Sequence, residues 1–462
     1  MTVPQYIGPN RTGITVIIIG LGIGGLTAAI SCHLQGHHVI GFDKLENLEP
    51  YGDGLILTPN GSQVLRDLDD TGAIAAWINT WAYNCRDCKI YNTDGVHVGQ
   101  HPIPDTDKGL SLLPRGGLVQ ILYQTAKRLG LDLRLGVKIN EFVEDVDQAR
   151  VIIDGVHVQG DCIIFADGAN SRGREAVSSC NVKPYYSGFS VYRGRADGAA
   201  LIKDPQCHWL LSKEGAIDQA TGFAGPEMYV QLATCGGGQA SFCIGITQRF
   251  ALQHTQSAEN FWTTPIDKNE MLDKISYWKC INQIRPVIDK MAKDQFILCP
   301  LLRAGVLDSW VSPIGRIAVI GDAAHPFFPT SAQGAAQAIE DAATLAITLA
   351  LAGKNNIRLG LKAMEAMRKH RATYIQRNAW RVNDAWFGSP VEERIGEKAA
   401  PAIGVIDWIT EHCCRTYASN EFDRVQDSIA TGQPYVPTNI PSQQFKEAAE
   451  WIANRNDEKE KN

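Results

Sequence analysis

The feature that most constrains this chain is a glycine-rich segment between a predicted strand and a predicted helix. The β-branched run Ile14–Ile19 is typical of a buried parallel strand, and the helical pattern Leu26–Leu34 begins with small residues. Between them, Gly20, Gly22 and Gly25 follow the spacing G-x-G-x-x-G. In this pattern the first glycine permits a tight turn, the second lets backbone N–H groups approach a pyrophosphate, and the third lets helix and strand pack closely. The segment therefore predicts a dinucleotide site.

An acidic residue stands where such a site needs one. Asp43 ends the second predicted strand, Val39–Asp43, and follows Gly25 by 18 residues. At this position a carboxylate can accept hydrogen bonds from ribose hydroxyls. Strand, turn, helix and acid in this order favour a Rossmann-like unit over a glycine-rich turn with a purely structural role.

Two later segments also end a buried strand with an acidic turn. The first, Cys162–Arg174, contains Asp167–Gly168; the second, Gly315–Ala343, contains Gly321–Asp322 and enters a helix that begins with small residues. A carboxylate at a strand end beside a helix N-terminus suits a ribityl chain and a pyrophosphate, and a helix start without bulky side chains lets a flat ring lie on backbone amides. The later segments therefore favour a flavin dinucleotide.

With these three motifs in order, the sequence resembles the single-component, group A flavoprotein monooxygenases of the para-hydroxybenzoate hydroxylase fold. The resemblance runs from about Ile14 to Tyr374. It implies an α/β fold: a Rossmann-like FAD domain with an inserted, mainly β substrate domain and a helical C-terminal region. The discontinuous FAD-binding domain is expected at residues 1–80, 103–178 and 299–375, the substrate domain at 179–298, and the C-terminal region at 376–462.

The resemblance also implies which residues hold FAD, without a covalent link. Asp43 and Arg115 would hold the adenosine and pyrophosphate end, and Asp322 the ribityl and phosphate region. Asp167 would take part in FAD or nicotinamide interactions. The full set expected at the cofactor is Gly20, Gly22, Gly25, Asp43, Gly54, Arg115, Asp167, Asp322, Pro329, Gln333, Gly334 and Ala335.

The residues around the flavin ring show one departure from the family pattern. Gln333 and Gly334 would lie near the isoalloxazine, Pro329 would face the flavin edge with its backbone carbonyl, and Gly54 would allow close approach from a nearby loop. Ala332 stands where many family members have glycine. The extra methyl group leaves somewhat less room for the backbone to approach the flavin.

Composition excludes several other classes of protein. Lys and Arg number 44 against 50 Asp and Glu, a formal charge of −6, which argues against a nucleic-acid surface. The N-terminus lacks the pattern of a signal peptide, and no uninterrupted apolar run of about 18 residues predicts a membrane span. The 12 cysteines are too sparse for a disulfide scaffold. We therefore expect a cytoplasmic protein with reduced thiols.

The remaining cysteine, histidine and glycine signals are weak. Gly236–Gly238 lacks the acid that a second dinucleotide unit would place about 20 residues on, which suits a reduced nicotinamide, NADPH or NADH, that binds only transiently. Cys85 and Cys88 form a C-x-x-C without a second pair at zinc spacing, and we interpret them as two reduced thiols. His325 has no second ligand at metal spacing either, so no metal is expected. It is expected to pack in the loop that begins at Gly321–Asp322, the Gly–Asp loop.

The catalytic candidates lie on the first predicted strand of the substrate domain. The other strands are predicted at His208–Ser212, Glu227–Thr234 and Ala240–Thr247. Alternation along the segment Tyr192-Arg-Gly-Arg points Arg193 and Arg195 to one face and Tyr192 to the other. In related enzymes this strand borders the catalytic cavity, so Arg193, and after it Arg195, are the candidates. Four aromatic residues are expected to line or border that cavity: Trp209, Phe223, Tyr229 and Phe242.

Among group A enzymes, the chain is most similar to fungal flavin monooxygenases of indole-alkaloid biosynthesis. That resemblance implies a flavin C4a-hydroperoxide, formed with NAD(P)H and O₂, which would epoxidise the indole C2=C3 bond of a prenylated alkaloid of the notoamide type. A semipinacol shift would then give a spiro-oxindole. Two alternatives stay open: a salicylate-like phenol hydroxylase, and a non-catalytic binding module built on the flavin fold.

Overall fold

A computed structural model describes residues 11–48, 54–81, 83, 85–103, 110–178, 183–211, 218–248, 265–388 and 406–454. Within these residues the strands are β1 (Thr15–Ile19), β2 (His38–Phe42), β3 (Gly54–Leu57), β4 (Asp87–Asn92), β5 (His97–Pro102), β6 (Ser111–Pro114), β7 (Asp132–Arg134), β8 (Glu141–Glu144), β9 (Ala149–Ile153), β10 (Val156–Gly160), β11 (Cys162–Phe165), β12 (Tyr185–Asp197), β13 (Ala220–Ala224), β14 (Met228–Cys235), β15 (Ala240–Gln248), β16 (Ile297–Arg303) and β17 (Ile317–Val319).

Helices pack against these strands and form the C-terminal part of the described chain. In the same residues they are α1 (Ile23–Leu34), α2 (Pro59–Arg66), α3 (Ala73–Thr80), α4 (Arg115–Arg128), α5 (Gly173–Val177), α6 (Gly198–Ile202), α7 (Asn269–Lys274), α8 (Ile281–Asp289), α9 (Gly334–Ala352), α10 (Ile357–Gly388), α11 (Asp407–Thr410), α12 (Cys414–Thr431) and α13 (Ser442–Ala453). Short 3₁₀ turns lie at Pro205–Leu210, Gly321–Ala323 and Pro329–Ser331.

The first sheet is parallel and has the order β17-β11-β1-β2-β7. Its central strand β1 is almost entirely buried, as its β-branched sequence predicts. The motifs that contain Gly20, Asp167 and Asp322 follow β1, β11 and β17. They therefore meet at one edge of this sheet, because the carboxyl ends of neighbouring parallel strands lie at the same edge. The Rossmann-like part of the predicted α/β fold is confirmed.

The second sheet has seven strands in the order β16-β12-β15-β14-β13-β4-β5. It confirms the predicted strands at 189–194, 227–234 and 240–247, with ends shifted by at most four residues. The strand predicted at His208–Ser212 is wrong in its described part, because Pro205–Leu210 forms a 3₁₀ turn, and Ser212 lies outside the described residues. Asp204 accepts a hydrogen bond from the Gln206 N–H at 3.0 Å, and Pro205 at the first position favours a helical turn over a strand.

The two sheets divide the chain differently from the predicted domain limits. Strands β4 and β5, which the prediction left unassigned, extend the seven-stranded sheet. The predicted limit between residues 298 and 299 falls inside β16, and the limit between 375 and 376 falls inside α10. Gly54, which was expected in a loop near the flavin, instead begins β3.

Helix α9 forms the centre of the helical layer. It packs against α1, α2, α10 and α12. By length and composition α9 could cross a membrane, and it is the one such helix among the described residues, but most of it is buried inside the protein. Its apolar residues belong to the core that also contains β1 and β11.

Candidate active site

The glycine-rich turn after β1 packs directly on the segment after β11. Gly20 has φ +93°, and a Cβ there would lie 2.6 Å from the Ala166 carbonyl oxygen and from the Asp167 Cα. A Cβ at Gly25 would lie 1.8 Å from the Gly20 carbonyl oxygen. Both positions therefore require glycine, which explains the spacing of the motif by backbone contact alone.

Gly22 differs from its two neighbours in the motif because it faces open space. Within the described part of the chain, no heavy atom lies within 4 Å of the place that a Cβ at Gly22 would take. Gly22 is also the N-cap of α1, and the described residues provide this helix with no side-chain cap. The first N–H groups of α1 therefore point toward a space that an anionic group can enter, which fits the pyrophosphate of FAD.

Asp43 has a role in the fold that its sequence position did not reveal. Its Oδ2 accepts a hydrogen bond from the Leu21 N–H at 2.7 Å, and its Oδ1 accepts one from the Leu45 N–H at 2.9 Å. The carboxylate thus holds the backbone of the glycine-rich turn and of the segment after β2. Each oxygen keeps a further lone pair, so this geometry is compatible with the predicted contact to a ribose hydroxyl.

Asp322 and Arg115 lie close together, although 207 positions of sequence separate them. The Asp322 carboxylate is accessible to solvent, yet protein surrounds it so closely that desolvation raises its pKa, while the charges of His325 and Arg115 act in the opposite direction. Gly321 before it has φ +59°, and its N–H donates to Asp341 Oδ2 at 3.0 Å. An accessible carboxylate with an arginine nearby, at the start of the helical layer, fits the ribityl and phosphate part of FAD.

The start of α9 presents backbone rather than side chains to the site. Ala332 has φ +52°, the left-handed region that favours glycine, which explains why many family members have glycine there. The Gln333 side chain is fully buried and turns inward: its Nε2 donates to Thr58 Oγ1 at 3.0 Å, and its Oε1 accepts from Asn60 Nδ2 at 3.2 Å. Gly334 and Ala335 are half-buried, and Pro329 is exposed.

Sequence reasoning missed a buried ionic network beneath this helix start. Arg368 donates to Asp341 Oδ1 at 2.8 Å and to Glu340, and Arg371 Nε donates to Glu340 Oε2 at 3.1 Å. Burial alone would raise the pKa of Glu340, but the charges of Arg368 and Arg371 outweigh it and hold this pKa well below its usual range. The signal in the sequence was an adjacent acid pair, Glu340–Asp341, within an otherwise small and apolar helix.

His325 belongs to the same network. It is almost fully buried, and its Nε2 donates to Asp341 Oδ2 at 2.6 Å, so it packs in the Gly–Asp loop as the sequence predicts. Among the residues that the structure describes, no group of three or more His, Cys, Asp or Glu side chains could hold a metal ion. Cys85 and Cys88 are free thiols, and burial raises the pKa of Cys88 to about 12.

Strand β12 places Arg193 on the side of the second sheet that faces the Gly–Asp loop. Tyr192 points the other way, stacked on Phe296 with ring centroids 6.3 Å apart. Arg193 is 7% exposed, and its Nη2 donates to Cys299 Sγ at 3.1 Å. Cys299 belongs to a cluster, called here the flavin-facing cluster, whose buried members are Phe189, Val191, Ile246, Ile297, Cys299, Leu301, Phe328, Ile375, Ala379, Trp380, Phe387 and Ile409.

Arg195 lies on the same face as Arg193 but is less buried. It pairs in register with Phe242 of β15 and is half-buried. Gly194 between them does not face the cavity: a Cβ there would lie 2.5 Å from Phe296 Cδ2, on the opposite face of the sheet. Gly194 makes room for packing of the outer layer instead.

The four predicted cavity aromatics divide between the two faces of the sheet. Tyr229 and Phe242 lie on the face that meets the cofactor side, whereas Phe223 packs in the outer core with helices α7 and α8. Trp209 contacts Phe223 edge-on, with centroids 6.0 Å apart, and therefore also lies outside the cavity.

Asp167, a predicted cofactor residue, is exposed in the turn after β11 and lies near Lys44.

Known proteins match this chain over nearly its whole length. A family model described as FAD binding domain matches residues 302–379. The FAD-dependent monooxygenase nodY2 of Hypoxylon pulicicidum is 40% identical, with 94% of this chain and 96% of the relative covered. Asperlicin C monooxygenase of Petromyces alliaceus is 37% identical, with 96% of each covered. Notoamide E oxidase of Aspergillus versicolor is 31% identical, with 95% of each covered.

Solved structures agree with these sequence relatives. The crystal structure of CtdE in complex with FAD and substrate 4 has a TM-score of 0.83 and 32% identity, and covers 90% of this chain and 100% of that one. The crystal structure of FqzB has a TM-score of 0.80 and 30% identity, with 96% and 99% covered. A salicylate hydroxylase substrate complex, at 20% identity and a TM-score of 0.64, is similar in fold alone.

Proposed function

Because this chain belongs to the fungal FAD-dependent monooxygenases, we propose that it oxidises the indole C2=C3 bond of a prenylated indole alkaloid. One atom of O₂ is transferred to the substrate as an epoxide, the other leaves as water, and NAD(P)H supplies two electrons. Opening of the epoxide places negative charge on the transferred oxygen. A 1,2-shift of a carbon substituent then gives the carbonyl group of a spiro-oxindole.

The buried position of Arg193 carries this proposal. When bound, FAD supplies the electron transfer and the activation of O₂. The chain must supply a dry cavity and a group that stabilises the charge on the substrate oxygen. Arg193 provides guanidinium N–H donors at a site shielded from water by the flavin-facing cluster, where such hydrogen bonds are stronger than in water.

The substrate class is supported by the relatives and by the lining of this side of the sheet. Two relatives are named for asperlicin C and notoamide E. Ile244, Tyr229 and Phe327 are half-buried and pack against the flavin-facing cluster, and such side chains suit a large, mostly apolar, aromatic substrate better than a small charged phenol.

A product analysis tests the reaction. Holoenzyme with NADPH and ¹⁸O₂ is supplied with notoamide E, asperlicin C and salicylate, and products are measured by mass spectrometry. We expect one ¹⁸O atom in an oxidised indole product and little turnover of salicylate. Unlabelled product would identify an oxidase or a dehydrogenase, and hydroxylated salicylate alone would identify a phenol hydroxylase.

Two matched variants test the role of Arg193. Arg193→Gln should keep FAD but lower the rate of oxygenated product formation roughly 30- to 1,000-fold, the equivalent of about 2–4 kcal/mol of lost charge stabilisation. Arg193→Lys should recover only part of the rate, since a point charge cannot replace the planar fork. Arg195→Gln, on the same face but less buried, tests the second catalytic candidate and should lower this rate less than Arg193→Gln does. Wild-type rates in Arg193→Gln would exclude this role.

A further inference from the structure

Arg371 of α10 uses all five of its N–H donors while fully buried. Toward α9, its Nε and Nη2 donate to the two carboxylate oxygens of Glu340, at 3.1 and 3.2 Å. Toward the C-terminal part, Nη1 donates to the carbonyl oxygens of Trp408 and Asn439, at 3.0 and 3.1 Å, and Nη2 donates to that of Ile409 at 2.7 Å. One side chain therefore joins α9 to the backbone at α11, and it has no donor left for water.

Glu340 continues this connection to the start of α9. Its Oε1 accepts from Asn60 Nδ2 at 2.5 Å and from Gln337 Nε2 at 3.2 Å. The same two amide groups donate to Gln333 Oε1, at 3.2 and 3.0 Å. An unbroken series of hydrogen bonds thus runs from the helix start at the cofactor site to the carbonyl groups of Trp408 and Ile409.

The segment held in this way reaches the substrate side of the molecule. Ile409 is fully buried and is a member of the flavin-facing cluster. Ile406 and Trp408 also pack against that cluster, but each is only half-buried and keeps apolar surface accessible. The Trp408 ring lies 5.2 Å from the Arg371 guanidinium carbon and 5.9 Å from the Tyr374 ring.

We propose that residues 406–410 form a fixed wall of the substrate pocket, that Arg371 is the positioning residue that holds this wall to the cofactor helix, and that Trp408 and Ile406 select the substrate by its apolar bulk. This inference rests on the proposed function, because it assigns the wall to the indole substrate. A buried arginine that binds three backbone carbonyl groups and one carboxylate fixes the segment more rigidly than apolar packing alone.

Substrate binding to Trp408→Leu tests the wall, with Trp451→Leu as the matched control. Trp451 stacks on the same Tyr374 ring with centroids 5.9 Å apart, but it lies on α13 and outside the flavin-facing cluster and its packed neighbours. Holoenzyme is titrated with notoamide E and with the smaller cyclo(L-Trp-L-Pro), and binding is followed by the flavin absorbance. Trp408→Leu should weaken notoamide E binding about tenfold or more, and cyclo(L-Trp-L-Pro) binding less, while Trp451→Leu should bind both as wild type does.

The outcomes separate this inference from the proposed function. If wild-type holoenzyme binds neither indole probe, the substrate class fails, and the wall assigned to it fails with it. If wild type binds notoamide E and Trp408→Leu binds it equally well, the inference alone is wrong. Equal weakening in both tryptophan variants would also overturn it, because the cause would then be lost packing on Tyr374.

Arg371→Lys tests the positioning role separately. Lysine keeps the charge beside Glu340 but has three donors and cannot reach the three carbonyl groups together. Hydrogen exchange measured by mass spectrometry should increase in the peptide that covers Trp408 and Ile409, and KM for notoamide E should rise more than kcat falls. Unchanged exchange in that peptide, or a loss in kcat without a change in KM, would contradict the positioning role.

Discussion

Both sheets of this chain contain glycines that the fold requires, but for different reasons. In the five-stranded sheet, Gly20, Gly168 and Gly321 lie within three residues of a strand end and have positive φ angles. In the seven-stranded sheet, Gly194 and Gly245 lie within strands, where their missing Cβ atoms leave room for Phe296 and Met271. The first kind serves backbone turns at the cofactor, and the second serves side chains from another layer. A strand-end glycine thus has a local motif around it, whereas the use of a mid-strand glycine depends on residues distant in sequence.

The largest effect is expected at the strand-end turn. Gly25→Ala would place a Cβ 1.8 Å from the Gly20 carbonyl oxygen, so the turn cannot keep its shape. We expect no FAD to remain after purification, measured by the flavin absorbance per protein. Gly22→Ala is the control: its Cβ meets open space within the described residues, so the protein should fold and bind FAD more weakly. A yellow, fully loaded Gly25→Ala protein would contradict the backbone explanation of the motif.

The second effect concerns the ionic network beneath the start of α9. Arg368 is buried between Glu340 and Asp341, and its removal leaves buried carboxylates with less compensation. Arg368→Met should therefore lower the free energy of unfolding by about 3–5 kcal/mol. Arg381→Met on the same helix removes an exposed ion pair with Glu447 and should cost less than about 1 kcal/mol. Equal losses in thermal unfolding would show that burial of the network does not matter.

The cofactor side could be predicted further from the sequence than the substrate side. The positions of Gly20, Gly25 and Asp322 follow from local motifs, because a strand end, a turn and a helix start are neighbours in the chain. The inward turn of the Gln333 side chain could not be predicted, since its partners Thr58 and Asn60 come from a distant helix.

On the substrate side, alternation along β12 divides its residues into two sets, but it does not indicate which set lies on the cofactor face of the sheet. Alternation placed Arg193 and Tyr192 on opposite faces. Which face meets the cofactor is decided by α7 and α8, which cover Tyr192 and Phe223 from the other side. Phe223 was assigned to the cavity from its aromatic character alone, and that character suits either face.

The third effect concerns Gly194 and tests which face of the seven-stranded sheet this residue lies on. A Cβ at this position would meet Phe296 at 2.5 Å in the outer layer, so Gly194→Ala should lower the free energy of unfolding by about 1–3 kcal/mol through overpacking. FAD content and the affinity for notoamide E should stay near wild type. Adding Phe296→Leu should restore part of the lost stability. Weaker substrate binding without a change in thermal unfolding would instead place Gly194 at the cavity.

The smallest effect concerns pH and involves buried histidines of the helical layer and a buried cysteine of the seven-stranded sheet. Burial, with the charge of Arg371, lowers the pKa of His412 to about 3, and burial, with the charge of Lys369, lowers that of His370 to about 4. The unfolded chain therefore binds protons below about pH 6.5 that the folded helical layer does not bind, so stability is complete above this pH and falls as the pH falls. In the seven-stranded sheet burial raises the pKa of Cys88 to about 12, so stability falls as the pH rises above about 9.

In a plot of stability against pH, each substitution should reduce the slope of either the acid limb or the alkaline limb, but not of both. Thermal unfolding is measured from pH 4 to 10, and the slope of each limb is the readout, because a substitution can also shift the whole curve. His412→Gln should reduce the acid slope by at most the equivalent of one proton, about 1.4 kcal/mol per pH unit, and leave the alkaline limb unchanged. Cys88→Ala should do the reverse. If His412→Gln changes both limbs equally, its effect on stability does not come from the titration of this imidazole.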